Sequence, residues 1–324
     1  MKDRFNRKID YLRVSITDRC NLRCIYCMPA EGVRPIEHRD ILRYEEMVRI
    51  VRIAAGYGIT NVRLTGGEPL VRKGLPTLIK AVREIDGIKS ISLTTNGVLL
   101  KGYAHILSSS GLDRINISLD SLRPDRYREI TRGGSIAEVW QGIEEAEKAG
   151  LNPIKINVVP IKGFNDDEII PFAQLTIEKP YHVRFIEFMP IGPKDIWERG
   201  KCIPCARIKS IVQGIGRLEP VKGKKAGPAV YYRLEGARGL IGFISPISNH
   251  FCSECNRIRL TADGKLRPCL FSDEEIDLKT AMQNGASDED IGRILEGAVF
   301  SKPKGHGLDK RRFEVVRPMS RIGG

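Results

Sequence analysis

With 324 residues, of which 41% are hydrophobic, the chain can bury a full core as one large domain or as one domain plus an extension. No apolar run reaches transmembrane length, and the opening MKDRFNRKID has no apolar segment of the signal-peptide kind, so a cytoplasmic protein with no membrane span is expected. Eight cysteines in such a chain argue for metal or redox chemistry rather than a disulfide framework, and the formal net charge of +13 favours an anionic partner.

In chain order, residues 11–16 (YLRVSI) read as a strand, and Met47, Val48, Ile50, Val51 and Ala54 fall at helical spacing over 45–55. A strand over 61–65 runs into Gly66-Gly67, a helix covers 75–85, a third strand 90–94, a short helix 104–109 and a fourth strand 114–119. Ser135 and Glu138 read as a capping box opening a helix whose buried face is Ile136, Val139, Trp140, Ile143 and Ala146. A fifth strand covers 154–159. Asn165 and Glu168 form a second cap-like pair before another helix, and a sixth strand covers 183–188. Alternation at this spacing predicts a parallel sheet of about six βα units, an incomplete TIM-type barrel over residues 1–190. Residues 191–324 open with Pro and Gly punctuation and carry short strands at 230–234 and 240–244. They read as an extension that closes one side of the barrel.

In such a barrel the chemistry sits at the carboxyl ends of the strands. Polar residues follow the predicted strands there: Cys20 after the first, Gly67 and Glu68 after the second, Thr95-Asn96 after the third, Ser118 to Asp120 at the fourth and Glu187 to Met189 at the sixth. Ordinary turn chemistry accounts for any one of them, but not readily for all on one rim.

Two cysteine triples dominate the chemistry. Cys20, Cys24 and Cys27 are spaced C-x3-C-x2-C, and Cys252, Cys255 and Cys269 are spaced C-x2-C-x13-C. Thiolates suit zinc, copper(I) or iron–sulfur clusters. A structural zinc site wants four ligands, for which His250 is the nearest candidate to join the second triple. A cubane held by three cysteines leaves one iron for substrate. Cys202 and Cys205 lie outside both triples, and a neutral role is favoured over a dithiol switch or third metal site. Arg13, Arg63 and Lys155 interrupt otherwise apolar strands, where a charge needs a partner; the partner is either a carboxylate or an anionic ligand.

The first triple, with the aromatic Tyr26 before its last cysteine and the Gly66-Gly67-Glu68-Pro69 segment, resembles the radical S-adenosylmethionine (SAM) superfamily. With the second triple, Asn256-Arg257-Ile258-Arg259-Leu260 and the terminal Gly323-Gly324, the chain resembles the GTP 3′,8-cyclase family of molybdenum cofactor biosynthesis. The resemblance runs from Tyr11 through Phe271 and returns at the tail. It implies two [4Fe–4S] clusters, the first on Cys20, Cys24 and Cys27 with SAM at its open iron. The second, on Cys252, Cys255 and Cys269, would take the guanine.

It further implies SAM contacts at Tyr26, Gly67, Ser118 and Met189, and GTP contacts at Arg13, Arg63, Thr94, Lys155, Arg257, Ile258 and Arg259. Catalytic support would come from Arg13, Arg257, Arg259, Gly323 and Gly324. The implied reaction starts with a 5′-deoxyadenosyl radical that takes hydrogen from ribose C3′. The carbon radical then closes onto guanine C8. The expected partners are a flavodoxin- or ferredoxin-like electron donor, cyclic pyranopterin monophosphate synthase downstream, and a second copy in a homodimer. Two other readings stay open: another radical SAM enzyme with an auxiliary cluster, such as a peptide-modifying maturase, and a metal-stabilised nucleic-acid-binding protein suggested by the charge.

Overall fold

The computed structural model describes residues 1–191, 197–221, 227–307 and 317–323. Strands β1 (Tyr11–Ser15), β2 (Asn61–Thr65), β3 (Ser90–Thr95), β4 (Arg114–Ser118), β5 (Lys155–Val158) and β6 (His182–Ile186) lie side by side in chain order, all parallel. Between them run α1 (Tyr44–Gly56), α2 (Leu75–Arg83), α3 (Ala104–Ser109), α4 (Pro124–Thr131), α5 (Ile136–Lys148) and α6 (Ile169–Glu178). The fold is α/β with a parallel sheet, the architecture expected of consecutive βα units. Helix α4 had no counterpart in the sequence reading; its sequence PDRYREIT is mostly polar and buries Tyr127, Ile130 and Thr131.

The remaining chain does more than flank one side. After α7 (Cys205–Gln213) come β7 (Leu218–Pro220), β8 (Val230–Leu234) and β9 (Leu240–Ile244), and β9 joins β6 in parallel. Strand β10 (Arg257–Leu260) then adds in parallel to the opposite edge, beside β1, followed by antiparallel β11 (Lys265–Arg267) and β12 (Ile276–Asp277). The extension therefore supplies strands to both edges of the six-stranded sheet, which corrects the expectation of a one-sided addition. Parallel pairing at both edges extends the run of parallel strands from six to eight. Helices α8 (Leu278–Gln283), α9 (Asp288–Phe300) and α10 (Met319–Ile322) complete the described chain.

Strand alternation decides where the core lies. In β1, Leu12 and Val14 are fully buried, and in β2 Val62 and Leu64. They join the same hydrophobic core as Met47, Ile50, Val51 and Ala54 of α1 and Leu75, Leu78, Ile79 and Val82 of α2. Each such large aliphatic side chain contributes about 1.5–3 kcal/mol by leaving water. The odd-numbered neighbours, Tyr11, Arg13, Asn61 and Arg63, point to the other face and line a cavity. An ordinary TIM barrel fills this inner face with branched apolar residues. Here it is polar, so the arginines do not interrupt an apolar strand; they occupy its second, polar face.

Both anticipated helix caps differ from expectation. Ser135 is the N-cap of α5, but its side chain makes no capping hydrogen bond. Asn165 accepts instead from Ile161 N at 2.7 Å and donates to Asp120 O at 2.7 Å, while the Glu168 carboxylate accepts from Ser121 Oγ at 2.8 Å and Leu122 N at 2.6 Å. Tertiary partners outbid local capping, so the pair ties the loop after β4 to the start of α6.

Candidate active site

The inner face of the sheet opens onto a cavity of ≈ 590 Å³, within the usual size of a small-molecule site. Its walls hold all six cysteines of the two triples together with Arg13, Tyr26, Arg63, Gly67, Thr94, Ser118, Lys155, Met189, Arg257 and Arg259. Residues as far apart in the chain as Arg13 and Cys269 thus meet in one space. Ile258 does not line it: the alternation that turns Arg257 and Arg259 inward sends Ile258 into the core. Any contact of Ile258 with a ligand is left to its main chain. Gly324 lies outside the described residues.

The first triple sits in the loop after β1. Burial raises the thiol of Cys20 to about 11 and that of Cys27 to about 12, and each gains further from a neighbouring negative group. Cys24 is raised too, by burial and then by Cys27, Asp120 and Cys20. Three mutually repelling buried thiols are a poor place for thiolates until a cation joins them, which is what a metal cluster provides.

Gly66 and Gly67 bring the loop after β2 against this one. A Cβ on Gly66 would lie 2.4 Å from Thr17 O, and one on Gly67 2.4 Å from Arg19 O. Only glycine allows that approach. Glu68, 1% exposed, faces away from the cavity: it accepts from Thr95 Oγ1 at 2.7 Å, Asn96 N at 2.7 Å and Leu70 N at 3.0 Å, and burial lifts it to about 7. It locks the ends of β2 and β3 together. Tyr26, predicted as a ligand contact, donates its hydroxyl to Asp120 Oδ2, whose other oxygen accepts from Val159 N at 2.8 Å.

The second triple differs in charge. Burial raises Cys255, but Arg257 and Lys302 outweigh it and bring the thiol down to about 7. Lys302, 3% exposed, donates to Arg257 O at 2.9 Å and Pro268 O at 2.7 Å, bracing the loop. Among the described residues, the groups of three possible ligands whose donor atoms all lie within 4.8 Å of one another comprise only His250, Cys252 and His306. Each cysteine triple is therefore spread wider than 4.8 Å across at least one pair. A tetrahedral zinc with bonds of about 2.3 Å would draw its sulfurs to roughly 3.8 Å. The spread of both triples suits a multi-iron cluster better than one ion. The anticipated set of Cys252, Cys255, Cys269 and His250 is not assembled as a single-ion site.

Between the triples the sheet carries a band of cations. In register across neighbouring strands stand Arg259 (β10), Arg13 (β1), Arg63 (β2), Ser92 (β3) and Arg114 (β4). One level on are Thr94, Asn116, Lys155 and His182, and then Ser118, Asn157 and Arg184. Burial depresses Arg259 to about 9, helped by Arg257, and depresses Arg13 strongly, helped by Arg259 and Arg63. Lys155 falls to about 7 through burial and then Arg184, Arg114 and Arg63. Among the described residues no carboxylate lies within ion-pair distance of Arg63, Lys155, Arg184, Arg257 or Arg259. The buried atoms Thr94 Oγ1, Asn157 Oδ1, Arg184 Nε and Arg257 Nε also lack hydrogen-bond partners among those residues. Uncompensated buried cations and orphaned polar atoms converging on one space cost several kcal/mol, so the site is arranged for a polyanion.

Arg184, Arg114, Tyr231 and Lys302 also line this space and were not anticipated. Arg184 had a signal: it stands in His-Val-Arg-Phe-Ile as Arg13 stands in Leu-Arg-Val. It donates to Asn116 Oδ1 at 2.5 Å, which aims it inward. Cys202 and Cys205 stand apart from the cavity lining; Cys205 Sγ lies 3.3 Å from Ile244 O and its N–H donates to Glu187 at 2.8 Å.

The tail docks. The Ser320 N–H donates to the Cys27 sulfur, Arg321 Nη2 donates to Arg34 O at 2.5 Å, and Gly323 O accepts from Arg259 Nη1 at 2.6 Å. At Gly323 (φ +83°) a Cβ would meet Thr65 Cγ2 at 2.9 Å and Ser15 Cβ at 3.0 Å, so only glycine fits at the ends of β1 and β2.

Residues 14–176 match the Radical SAM superfamily model, and residues 181–308 match the Molybdenum Cofactor Synthesis C model. The chain is 53% identical over 326 residues to a GTP 3′,8-cyclase of Thermodesulfovibrio yellowstonii and 53% over 325 residues to one of Moorella thermoacetica, with each chain covered in full. Among solved structures it is similar to Streptococcus suis SuiB bound to S-adenosylmethionine (TM-score 0.62, 16% identity, 95% of this chain and 67% of that one). SuiB bound to its precursor peptide SuiA gives a TM-score of 0.64 at 17% identity, covering 95% and 68%. At such identity these structures speak to the fold alone.

Proposed function

Because this chain belongs to the GTP 3′,8-cyclase family of radical SAM proteins, we propose that the cavity on the inner face of the sheet holds SAM and GTP together between two cysteine-bound clusters. The chain is an enzyme of that activity: it converts GTP to 3′,8-cyclo-7,8-dihydro-GTP, the first step of molybdenum cofactor biosynthesis, with two [4Fe–4S] clusters and SAM as cofactors. When bound, those cofactors supply the one-electron radical chemistry, and the protein supplies binding, orientation and exclusion of water.

Cys20, Cys24 and Cys27 hold the first cluster, and Cys252, Cys255 and Cys269 the second. Gly67, Ser118 and Met189, with Tyr26 fixed by Asp120, form the SAM wall. Arg63, Lys155 and Arg184 neutralise the triphosphate, and Thr94 offers its unpartnered hydroxyl to the substrate. Arg257 and Arg259 hold the nucleotide beside the second triple. Arg13, in register between Arg259 and Arg63, donates to the substrate as charge builds late in the reaction. Gly323 positions Arg259 through its carbonyl, and the docked tail covers the rim beside Cys27. Residues 1–190 form the partial barrel and 191–324 the extension that covers its mouth; the boundary between the two family models, at 176 and 181, supports a division in this region.

A cytoplasmic setting, a flavodoxin- or ferredoxin-like electron donor, a homodimer, and hand-over of product to cyclic pyranopterin monophosphate synthase belong to the same reading and rest on the family. No described helix is long and apolar enough to cross a membrane.

The observation that carries the residue assignments is the in-register band Arg259–Arg13–Arg63, set between two cysteine triples in one cavity. Anaerobic incubation of the reconstituted protein with SAM, GTP and a reductant, followed by mass analysis of the nucleotide, tests it. The expected product is an isomer of GTP, the hydrogen atom lost from C3′ being replaced by one electron and one proton, so chromatographic retention and fragmentation, rather than intact mass, identify it. Alanine at Arg63, Arg184 or Arg257 should weaken GTP binding without changing iron content. GTP binding unchanged in all three would refute the assignments.

A further inference from the structure

We propose that His250, Cys252 and His306 form a mononuclear site for a Zn²⁺-class cation, sharing Cys252 with the second cysteine triple so that one ion and the second cluster exclude each other. The donor atoms of these three residues lie within 4.8 Å of one another, which neither cysteine triple achieves. Two imidazoles and one thiolate are a donor set that zinc accepts readily, with its fourth position open to water or ligand. The remaining contraction falls to small rotations, and His250 is exposed and free to make them.

The grouping is built rather than accidental. His250 and His306 pack edge to face at 4.9 Å, and His306 packs on Phe271 at 5.3 Å, so both rings are oriented. The His306 backbone N–H donates to the Cys252 sulfur. His306 belongs to a segment far from Cys252 in the chain, and Arg7 joins them. Its guanidinium, ion-paired to Asp3 at 2.5 Å, donates to Cys252 O at 2.7 Å, Pro303 O at 2.7 Å and Lys304 O at 3.3 Å. Arg7 is thus a positioning residue for the site.

Binding would release the Cys252 proton and engage the Sγ that the cluster needs. Exclusion of the cluster rests on the proposed function above; the single-ion site itself does not. The two are separated by testing the ion first in the absence of iron and sulfide.

The full chain, prepared without clusters under anaerobic conditions, is titrated with Co²⁺ as the optical probe. One equivalent should bind with tetrahedral ligand-field bands and sulfur-to-metal charge transfer. His250→Ala and His306→Ala should each weaken binding about tenfold or more, while Cys269→Ala should not. Retention of the first cluster's iron after reconstitution shows that each variant is folded. Co²⁺ binding unchanged in both histidine variants, or abolished by Cys269→Ala, would overturn the site. In a second arm, protein preloaded with one equivalent of Zn²⁺ is reconstituted with iron and sulfide. Iron uptake should fall from about eight to about four per chain, and His306→Ala should restore it. Full uptake by the zinc-loaded parent would overturn the exclusion.

Discussion

Lys155 gives the sharpest test of the cationic cavity. Burial, then Arg184, Arg114 and Arg63, bring its ammonium from 10.5 down to about 7 in the ligand-free protein. The sign follows from linkage. The unfolded chain holds this proton up to about pH 10 and the folded chain only to about pH 7, so the group costs stability at low pH and the cost fades as pH rises through that window. Holding it charged in the free protein costs on the order of 4–5 kcal/mol.

A triphosphate at Lys155 removes most of that cost and restores the proton. At pH 8 most of free Lys155 is neutral, so GTP binding should take up a substantial fraction of a proton. Above pH 7 the affinity should fall up to about tenfold per pH unit. Calorimetric titration of GTP into cluster-loaded protein, in two buffers of different ionisation enthalpy, reads the uptake directly. Lys155→Arg keeps a permanent charge and should abolish it while retaining affinity within about tenfold. Zero uptake by the parent, or the same uptake in Lys155→Arg, would refute the placement of the triphosphate.

Cys20→Ala should abolish SAM cleavage, whereas Cys252→Ala should spare uncoupled cleavage and lose cyclisation, each halving the iron bound; assays for 5′-deoxyadenosine, nucleotide product and iron separate the two. Arg257→Ala should weaken GTP binding with iron content and SAM binding intact, since its side chain has no carboxylate partner among the described residues to leave stranded. Deleting Gly323 and Gly324 should leave folding, both clusters and SAM binding nearly unchanged but sharply reduce product, with a peptide ending Arg-Ile-Gly-Gly restoring part of it; full-rate turnover by the truncated protein would show the tail to be inert. Glu187, fully buried, accepts from Cys205 N at 2.8 Å, Ile247 N and Ser248 N at 2.9 Å, and Ser248 Oγ. Glu187→Ala strands these donors at the junction of β6 with the extension and should cost about 3–5 kcal/mol in chemical denaturation.

The sequence by itself determined the order of the six βα units, the two thiolate triples and most of the cavity's charged residues. These are local signals: a period of two in Leu12-Arg13-Val14 and Val62-Arg63-Leu64 reports one apolar and one polar face whatever the fold around it, and ligand spacing survives any topology. What only the tertiary structure decided is non-local. Strand β9 is apolar throughout and β10 alternates arginine with apolar residues, but neither pattern names its partner: one pairs with β6 and the other with β1, because sheet edges compete for strands by register and not by neighbouring sequence. That choice sets Arg259 level with Arg13 and Arg63, and brings Cys252 into the same cavity as Cys20. Asn165 and Glu168 look like local caps in sequence but bond across the loop after β4, since buried partners were available to them only once the chain had folded. His306 joins Cys252 for the same reason: Arg7, at the other end of the chain, holds both their segments through three carbonyls that no sequence pattern can reveal.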